Sequence, residues 1–313
     1  MKVKVRVPAT TANLGPGFDI FGLALTLYNV IEMEIVSEQR NSVIINIEGE
    51  GKGSIPSGER AEENIIYKAA RIIFDKSDKK HMEVRLHLMN TIPLARGLGS
   101  SAAAIVGGLI AANELCDGRY NKNDIFDFAM ELEGHPDNVG AAVYGGLFAC
   151  LKFKSGIEKK SIKTVNFKVV ACIPDFEVST EQARKVLPDM YKAEDMKVTA
   201  SGIVGLTYSF LKGDTELLQK SIESDYFHQP YRVHLVKEKE GVQLEDVFKA
   251  AKEHGALGVA LSGSGPTVVA FYEGESQHHE DIGKAMEEAF LKFGKNSRSL
   301  YLEIDNDGAQ IIR

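Results

Sequence analysis

Residues 93–104, Pro-Leu-Ala-Arg-Gly-Leu-Gly-Ser-Ser-Ala-Ala-Ala, bring two glycines, two adjacent hydroxyls and an alanine run into one short stretch. Gly97 and Gly99 can take positive φ and leave backbone N–H groups uncovered. Ser100 and Ser101 stand where a helix opens with its first N–H groups unpaired, an arrangement that accepts an anion. The helix dipole contributes only about 0.3–1 kcal/mol toward a negative charge at that end. Converging N–H groups and hydroxyls must therefore supply most of the affinity. Arg96 adds a cation, and Ala102, Ala103, Ala104, Gly107 and Gly108 let the helix approach a neighbour closely. A glycine pair alone is equally compatible with an ordinary loop before a buried helix; the arginine, the hydroxyls and the small residues together point to phosphate.

Two phosphate motifs compete for this stretch. No lysine follows the glycines, which excludes a Walker A loop. Gly97, Gly99 and Ala102 do satisfy Gly-x-Gly-x-x-Ala, the looser dinucleotide fingerprint, with Asp117 about 20 residues on. Against that reading, Asp117 falls in the turn Cys116-Asp-Gly-Arg119 and not at the end of a second strand.

Three further segments carry polar groups in tight turns. Pro8-Ala-Thr-Thr-Ala-Asn-Leu-Gly-Pro-Gly-Phe-Asp19 lies near the start, His135-Pro-Asp-Asn-Val139 in the middle, and Leu261-Ser-Gly-Ser-Gly-Pro-Thr267 late. An arginine can clamp an anion, because a guanidinium fork grips a carboxylate through two parallel hydrogen bonds, as lysine cannot. Taken singly, an arginine is more often a surface residue. The pair His278-His279 reads as surface, without metal-site spacing.

The elements that must position these groups follow from periodicity. Val3, Val5 and Val7 alternate with Lys4 and Arg6 as a strand that Pro8 is expected to stop. Strand patterns run from about Leu23 to Val36 and from Val43 to Ile47. Asn64 should cap a helix carrying Ile65, Ile66, Ala69, Ile72 and Ile73, and Met82 to Leu88 alternate as the strand feeding the glycine loop. Helices are expected from Ser100 to about Leu115 and from Asp124 to Glu133, where Gly134 suits a C′ position. Residues 134–139 read as a loop. Strands follow around Val143 to Phe153 and Phe167 to Ile173, with helices near Thr180, from Glu194 to Leu211 and from Leu244 to Glu253. Ala256 to Leu261 and Val268 to Tyr272 flank the late glycine loop, and a helix and a strand near Leu300 to Ile304 close the chain. The order of elements makes the class α+β.

With 313 residues and 44% hydrophobic side chains the chain can bury a large core, as one elaborate domain or two intimate ones. A net charge of −7 with scattered lysines forms no basic stripe, which argues against nucleic acid and anionic membranes as partners. Lys237-Glu-Lys-Glu240 reads as a solvated helix face. Cys116, Cys150 and Cys172 lack metal or redox spacing and suit reduced thiols in a cytoplasm. No signal-peptide pattern and no membrane-length apolar run is present.

The three glycine-containing motifs, in this order, resemble the GHMP small-molecule kinase superfamily. The first motif and His135-Pro-Asp-Asn-Val139 resemble its homoserine kinase family in particular, over nearly the whole chain. The resemblance implies a two-domain α+β fold, with an N-terminal domain like ribosomal protein S5 domain 2 over residues 1–160 and a ferredoxin-like C-terminal domain over 161–313. It implies ATP and Mg2+ at the glycine loop, transfer of phosphate to the L-homoserine hydroxyl in threonine biosynthesis, and a homodimer. By the same resemblance Asn13, Asp19, His135, Asn138, Thr180, Arg184 and Arg232 line the substrate pocket. Asn64 and the run Pro93, Leu94, Ala95, Arg96, Gly97, Leu98, Gly99, Ser100, Ser101, Ala102 and Ala103 belong to the nucleotide. Ser100 and Glu131 are the expected magnesium ligands, with Glu133 as the alternative.

Several relatives use an aspartate as base where this chain has Asn138, with Asp137 one residue earlier. Asn cannot usefully accept a proton. The expectation is therefore catalysis by positioning and charge neutralisation, with Arg184, Asn138 and Ser100 at the reacting groups. Two rival functions stay open on sequence alone: a kinase of this fold for another small alcohol, and a non-catalytic nucleotide or metabolite sensor.

Overall fold

The computed structural model describes residues 1–37, 41–79, 82–163, 167–274 and 278–312, with the side chain of His278 outside the described set. Its N-terminal part is built on a seven-stranded mixed sheet: β1 (Lys2–Ala12), β2 (Phe21–Ser37), β3 (Ser42–Gly49), β4 (Glu83–Asn90), β5 (Leu147–Phe153), β6 (Gly156–Ile162) and β11 (Gln310–Ile312). The long β2 splits the sheet. Phe21–Leu23 pair with β5 and Val30–Ser37 with β4, while β1 lies along its other edge. Helices α1 (Ile65–Asp75), α2 (Ser100–Leu115), α3 (Lys122–Glu133) and α4 (Pro136–Tyr144) accompany these strands. α2 is buried along most of its length, which its alanines and glycines allow: a side chain at Gly107 would strike Ile31 of β2, and one at Gly108 the backbone of α1.

Pro8 does not end β1. The strand runs to Ala12 through a register shift between Pro8 and Ala9. The ladder to β11 covers only Lys4–Arg6, so the missing N–H of Pro8 falls at a bulge past the end of that pairing. Residues 136–144, expected to begin as a loop, form α4 with Pro136 in its first turn, a position that needs no N–H donor.

The second sheet holds β7 (Phe167–Pro174), β8 (Gly258–Leu261), β9 (Val268–Glu273) and β10 (Ser297–Leu302) in the antiparallel order β10-β7-β9-β8. With α5 (Thr180–Lys185), α6 (Ala193–Lys212), α7 (Thr215–Ile222), α8 (Gln229–Glu240) and α9 (Leu244–Glu253) between β7 and β8, and α10 (His278–Leu291) between β9 and β10, this is ferredoxin-like topology. Alternation in β7 assigns its two faces. Phe167, Val169, Ala171 and Ile173 join the core shared with the first sheet, whereas Val170 and Cys172 join a second core beneath α8, α9 and α10. The shared core joins the two parts, and a division after residue 160 would cut β6. The last residues also return to the first sheet: Ile304 bridges Leu25, and β11 pairs with β1.

No helix among the described residues is long and apolar enough to cross a membrane. The three cysteines are buried and free, and the His279 ring stacks on Tyr272 at 5.7 Å.

One of the close approaches that seat α4 is made by a glycine of its own. Gly140 lies flat on the Phe148 ring, and a Cβ there would overlap three ring atoms. Gly140→Ala should destabilise the protein by about 1–3 kcal/mol in urea unfolding, through overpacking. An unchanged midpoint would show that α4 can move off the sheet freely.

Candidate active site

A cavity of about 420 Å³ opens between the two parts, lined by the glycine loop, the end of α3, the start of α4, the loop after β1, α5, α8 and the late glycine loop. Gly97 and Gly99 have φ of 77° and 69°, as an open turn requires. The Ala103 N–H donates to the Gly99 carbonyl at 2.9 Å, so the N–H groups of Ser100, Ser101 and Ala102 precede the helical ladder of α2. Ala102 and Ala103 are fully buried and do not line the cavity, and the Ala103 N–H is spent on Gly99. Leu98 packs beneath the loop, and its carbonyl accepts from the Thr10 N–H at 3.1 Å.

Three nucleotide expectations change in detail. Arg96 is spent on the second part of the fold: Nε donates to the Pro174 carbonyl at 3.0 Å, one terminal nitrogen to the Asp175 carbonyl at 3.1 Å, and the other sits 2.9 Å from Glu177. It ties the loop down and has little donor capacity left for phosphate. Asn64 is fully buried, capping α1 through the Ile66 N–H at 2.9 Å and donating to the Pro56 carbonyl at 3.0 Å. Pro93 and Leu94 line a neighbouring groove of about 530 Å³ instead of this cavity.

The opposite wall carries the charges. Arg184 on α5 meets Asp19 fork to fork, at 3.0 and 2.6 Å, so the clamp is already closed on a carboxylate of the chain. Arg232 is 2% exposed. Its Nε donates to the Ala183 carbonyl at 3.2 Å and one terminal nitrogen to the Gly263 carbonyl at 2.7 Å. Burial, then the neighbouring Arg184, lowers its pKa to about 10, which leaves it charged at neutral pH. Asn13, with φ of 73°, uses its side chain to bind its own surroundings: Nδ2 donates to the Gly263 carbonyl and Oδ1 accepts from the Asp19 N–H, both at 3.2 Å. Thr180 faces Ser264 across the rim, at 3.3 Å between hydroxyls. His135 donates from Nδ1 to the Glu133 carbonyl at 3.0 Å, leaving Nε2 uncommitted by that bond.

Asn138 and Asp137 occupy the first turn of α4. Asn138 Oδ1 accepts from the Thr10 hydroxyl at 2.7 Å, and its N–H donates to Asp137 Oδ1 at 2.7 Å. Asp137 is 3% exposed and lines the cavity. Burial first, then the nearby Asp19, raises its pKa to about 6, with Arg184 and Arg232 pulling the other way. The sequence offered Asp137 only as a neighbour of Asn138; its position in the first turn of a helix, one residue after proline, was the available signal.

The metal expectation divides at α3. Glu131 is exposed and outside the cavity, whereas Glu133 lines it and accepts from the Ser101 hydroxyl at 2.7 Å. Burial raises the Glu133 pKa, a sign of a carboxylate short of positive charge. A partly buried carboxylate and the Ser100 hydroxyl beside a phosphate cradle are hard oxygen donors of the type magnesium takes, with phosphates and water completing its shell. Among the described residues no group of three His, Cys, Asp or Glu side chains could hold a metal alone.

Comparison with known proteins agrees with this geometry. Residues 64–146 match the GHMP kinases N terminal domain and residues 206–296 the GHMP kinases C terminal family. A homoserine kinase of Moorella thermoacetica is 41% identical over 309 residues, covering 98% of this chain and 99% of that protein. One of Caldanaerobacter subterraneus is 40% identical over 315 residues, covering 99% and 96%. The crystal structure of homoserine kinase from Cytophaga hutchinsonii superposes with a TM-score of 0.87 at 28% identity, covering 99% of this chain and 97% of the other. The chain belongs to the GHMP kinases, ATP-dependent small-molecule kinases of two domains, and within them to the homoserine kinase family.

Gly99 tests the cradle. A side chain there would need positive φ and would collide with the Thr10 hydroxyl. Gly99→Ala should weaken ADP binding in calorimetry by about tenfold or more, given about 1–2 kcal/mol for left-handed backbone. Wild-type affinity would remove the glycine turn from the nucleotide site.

Proposed function

We propose that the cavity is the place where the chain transfers the γ-phosphoryl group of ATP to the side-chain hydroxyl of L-homoserine, in the service of threonine biosynthesis. The observation that carries this reading is the pairing of a phosphate cradle at the start of α2 with two arginines and two carboxylates across one cavity. A small amino acid needs a cation for its carboxylate, an anion for its ammonium group and a clear path from its hydroxyl to phosphate. Arg232 and Arg184 serve the carboxylate, and Asp19 and Asp137 the ammonium.

Because Arg184 is closed on Asp19, substrate entry is an exchange. The incoming carboxylate replaces that of Asp19 on the fork, and Asp19 turns to the incoming ammonium group. The pair is 32% and 36% exposed, so its opening costs little, as for ion pairs near a surface, which are worth about 0–1 kcal/mol. The triphosphate rests on the N–H groups and hydroxyls of Ser100 and Ser101, with Glu133 and Ser100 as the chain's donors to Mg2+. The metal, when bound, neutralises charge on the phosphate oxygens. Asn138, fixed by Thr10, orients the acceptor hydroxyl, and the proton leaves with the phosphate or to solvent, since positioning and electrostatics dominate such transfers.

A kinase assay with homoserine, threonine, serine, mevalonate and galactose tests the reading by ADP release. Homoserine should be preferred, and folded protein without homoserine-dependent release would overturn it. Arg184→Lys should raise the homoserine KM by about 10- to 100-fold while the ATP KM holds, because lysine cannot present the fork; equal changes in both would argue against a carboxylate clamp.

The acid limb has a definite sign. Asp137 is ionised above a pKa of about 6 and neutral below it, so its pull on an ammonium group fades as pH falls. The kcat/KM for homoserine should drop through about pH 6, and Asp137→Asn should lower it at neutral pH and flatten that limb. A limb unchanged in Asp137→Asn would assign it to another group.

A further inference from the structure

We infer that His228 is a positioning residue of the substrate half, a bolt from α8 that holds the loop after β1, and through Phe18 the two arginines, in the geometry that receives homoserine. The inference rests on the reading of the cavity as the homoserine site. His228 is completely buried and sits at the N-terminal end of α8, four residues before Arg232. Its Nε2 donates to the Gly15 carbonyl at 2.9 Å, with Asp225 Oδ2 3.2 Å from the same nitrogen. Its Nδ1 lies 3.3 Å from a terminal nitrogen of Arg232, which can only donate. One tautomer satisfies both contacts: neutral imidazole with the proton on Nε2. Burial and the charge of Arg232 hold the ring in that neutral form, with its pKa well below the usual histidine range.

The bolt acts on a loop that needs one. Asn13, Leu14 and Gly15 all have positive φ, as does Asp19, so this loop is held in backbone conformations that its own residues other than glycine disfavour. The His228 ring stacks on Phe18 at 5.3 Å and 26°. Phe18 in turn lies under both guanidinium groups, 5.4 Å from Arg184 and 5.1 Å from Arg232. One aromatic ring thus sits beside two like charges that belong to different helices of the second part. Asp225 completes the anchor by accepting from the backbone N–H groups of Phe227, His228 and Gln229, at 2.6, 3.4 and 2.8 Å. His228 does not itself line the cavity and meets the lining at Arg232 on the substrate side, so its effect should reach homoserine and not ATP.

Two isosteric variants separate the contacts. His228→Gln offers an amide donor near the Nε2 position and can keep the Gly15 bond; His228→Asn offers an acceptor near Nδ1 and loses that bond. His228→Asn should raise the homoserine KM by about tenfold or more, the scale of a buried carbonyl left without its donor, while the ATP KM and ADP affinity stay within about twofold. His228→Gln should recover most of that loss. Phe18→Leu, which keeps apolar volume but not the ring, should also raise the homoserine KM alone. Equal loss in the two His228 variants, or homoserine and ATP constants rising together, would reduce His228 to a core residue and overturn the inference. Should His228→Asn not fold, an unchanged homoserine KM in Phe18→Leu and a poor one in His228→Gln would overturn it equally. Failure of the underlying reading looks different: the wild-type protein would release no homoserine-dependent ADP.

Discussion

Three segments from distant parts of the chain meet through backbone groups and short hydroxyl side chains, and the site depends on that contact. The end of β1, the glycine loop and the late glycine loop converge at the Ser262 hydroxyl, which donates to the Gly97 carbonyl at 2.5 Å and lies 2.8 Å from the Thr11 hydroxyl. The Gly263 N–H reaches the Ala12 carbonyl at 3.2 Å. A side chain at Gly97 would run into the Ser262 carbonyl, so the approach requires glycine there. The phosphate cradle starts on one side of this junction and the substrate loop on another. Their separation is therefore set by backbone groups and short buried hydroxyls rather than by long flexible side chains, which suits a transfer that needs its reactants held in line.

Charge is the second organising feature. Arg232 loses hydration on burial but keeps two backbone carbonyls, and Asp137 keeps only the start of its own helix. Opposite charges placed so close, yet not paired directly with one another, make a cavity suited to a zwitterion. Asp19 and Arg184, by contrast, are paired and partly exposed, and they can exchange partners at little cost. In the proposed reading the buried groups orient the substrate and the exposed pair admits it.

Much of the fold was legible in the order of apolar residues. α2 runs from Ser100 to Leu115 and α3 ends at Glu133 before a left-handed Gly134, as spacing and capping residues indicate. Pro8 misled because a proline reads as a stop unless the bulge and the short partner strand that accommodate it are known. β6, with five exposed residues of seven, and the three-residue β11 carry too little apolar pattern to be seen; each exists because a neighbouring strand offers it hydrogen bonds. α7 was not foreseen, and of α8 only the solvated face at Lys237–Glu240 was read.

The types of chemistry were encoded locally. Glycines before an alanine-rich helix announce an anion site because turn geometry and unpaired N–H groups depend on adjacent residues, and the three ordered motifs carry the family. The assignment of individual partners was not encoded that way. That Arg96 serves Pro174 and Asp175, that Glu133 faces the cavity and Glu131 does not, that Asp137 is buried beside Asp19, and that His228 reaches Gly15 all depend on distances between segments as far as 213 residues apart. Hydrogen bonds and desolvation act over a few ångströms of space, so they follow from how the two sheets and their helices pack, whereas turns and helix ends follow from the residues next to one another in the chain.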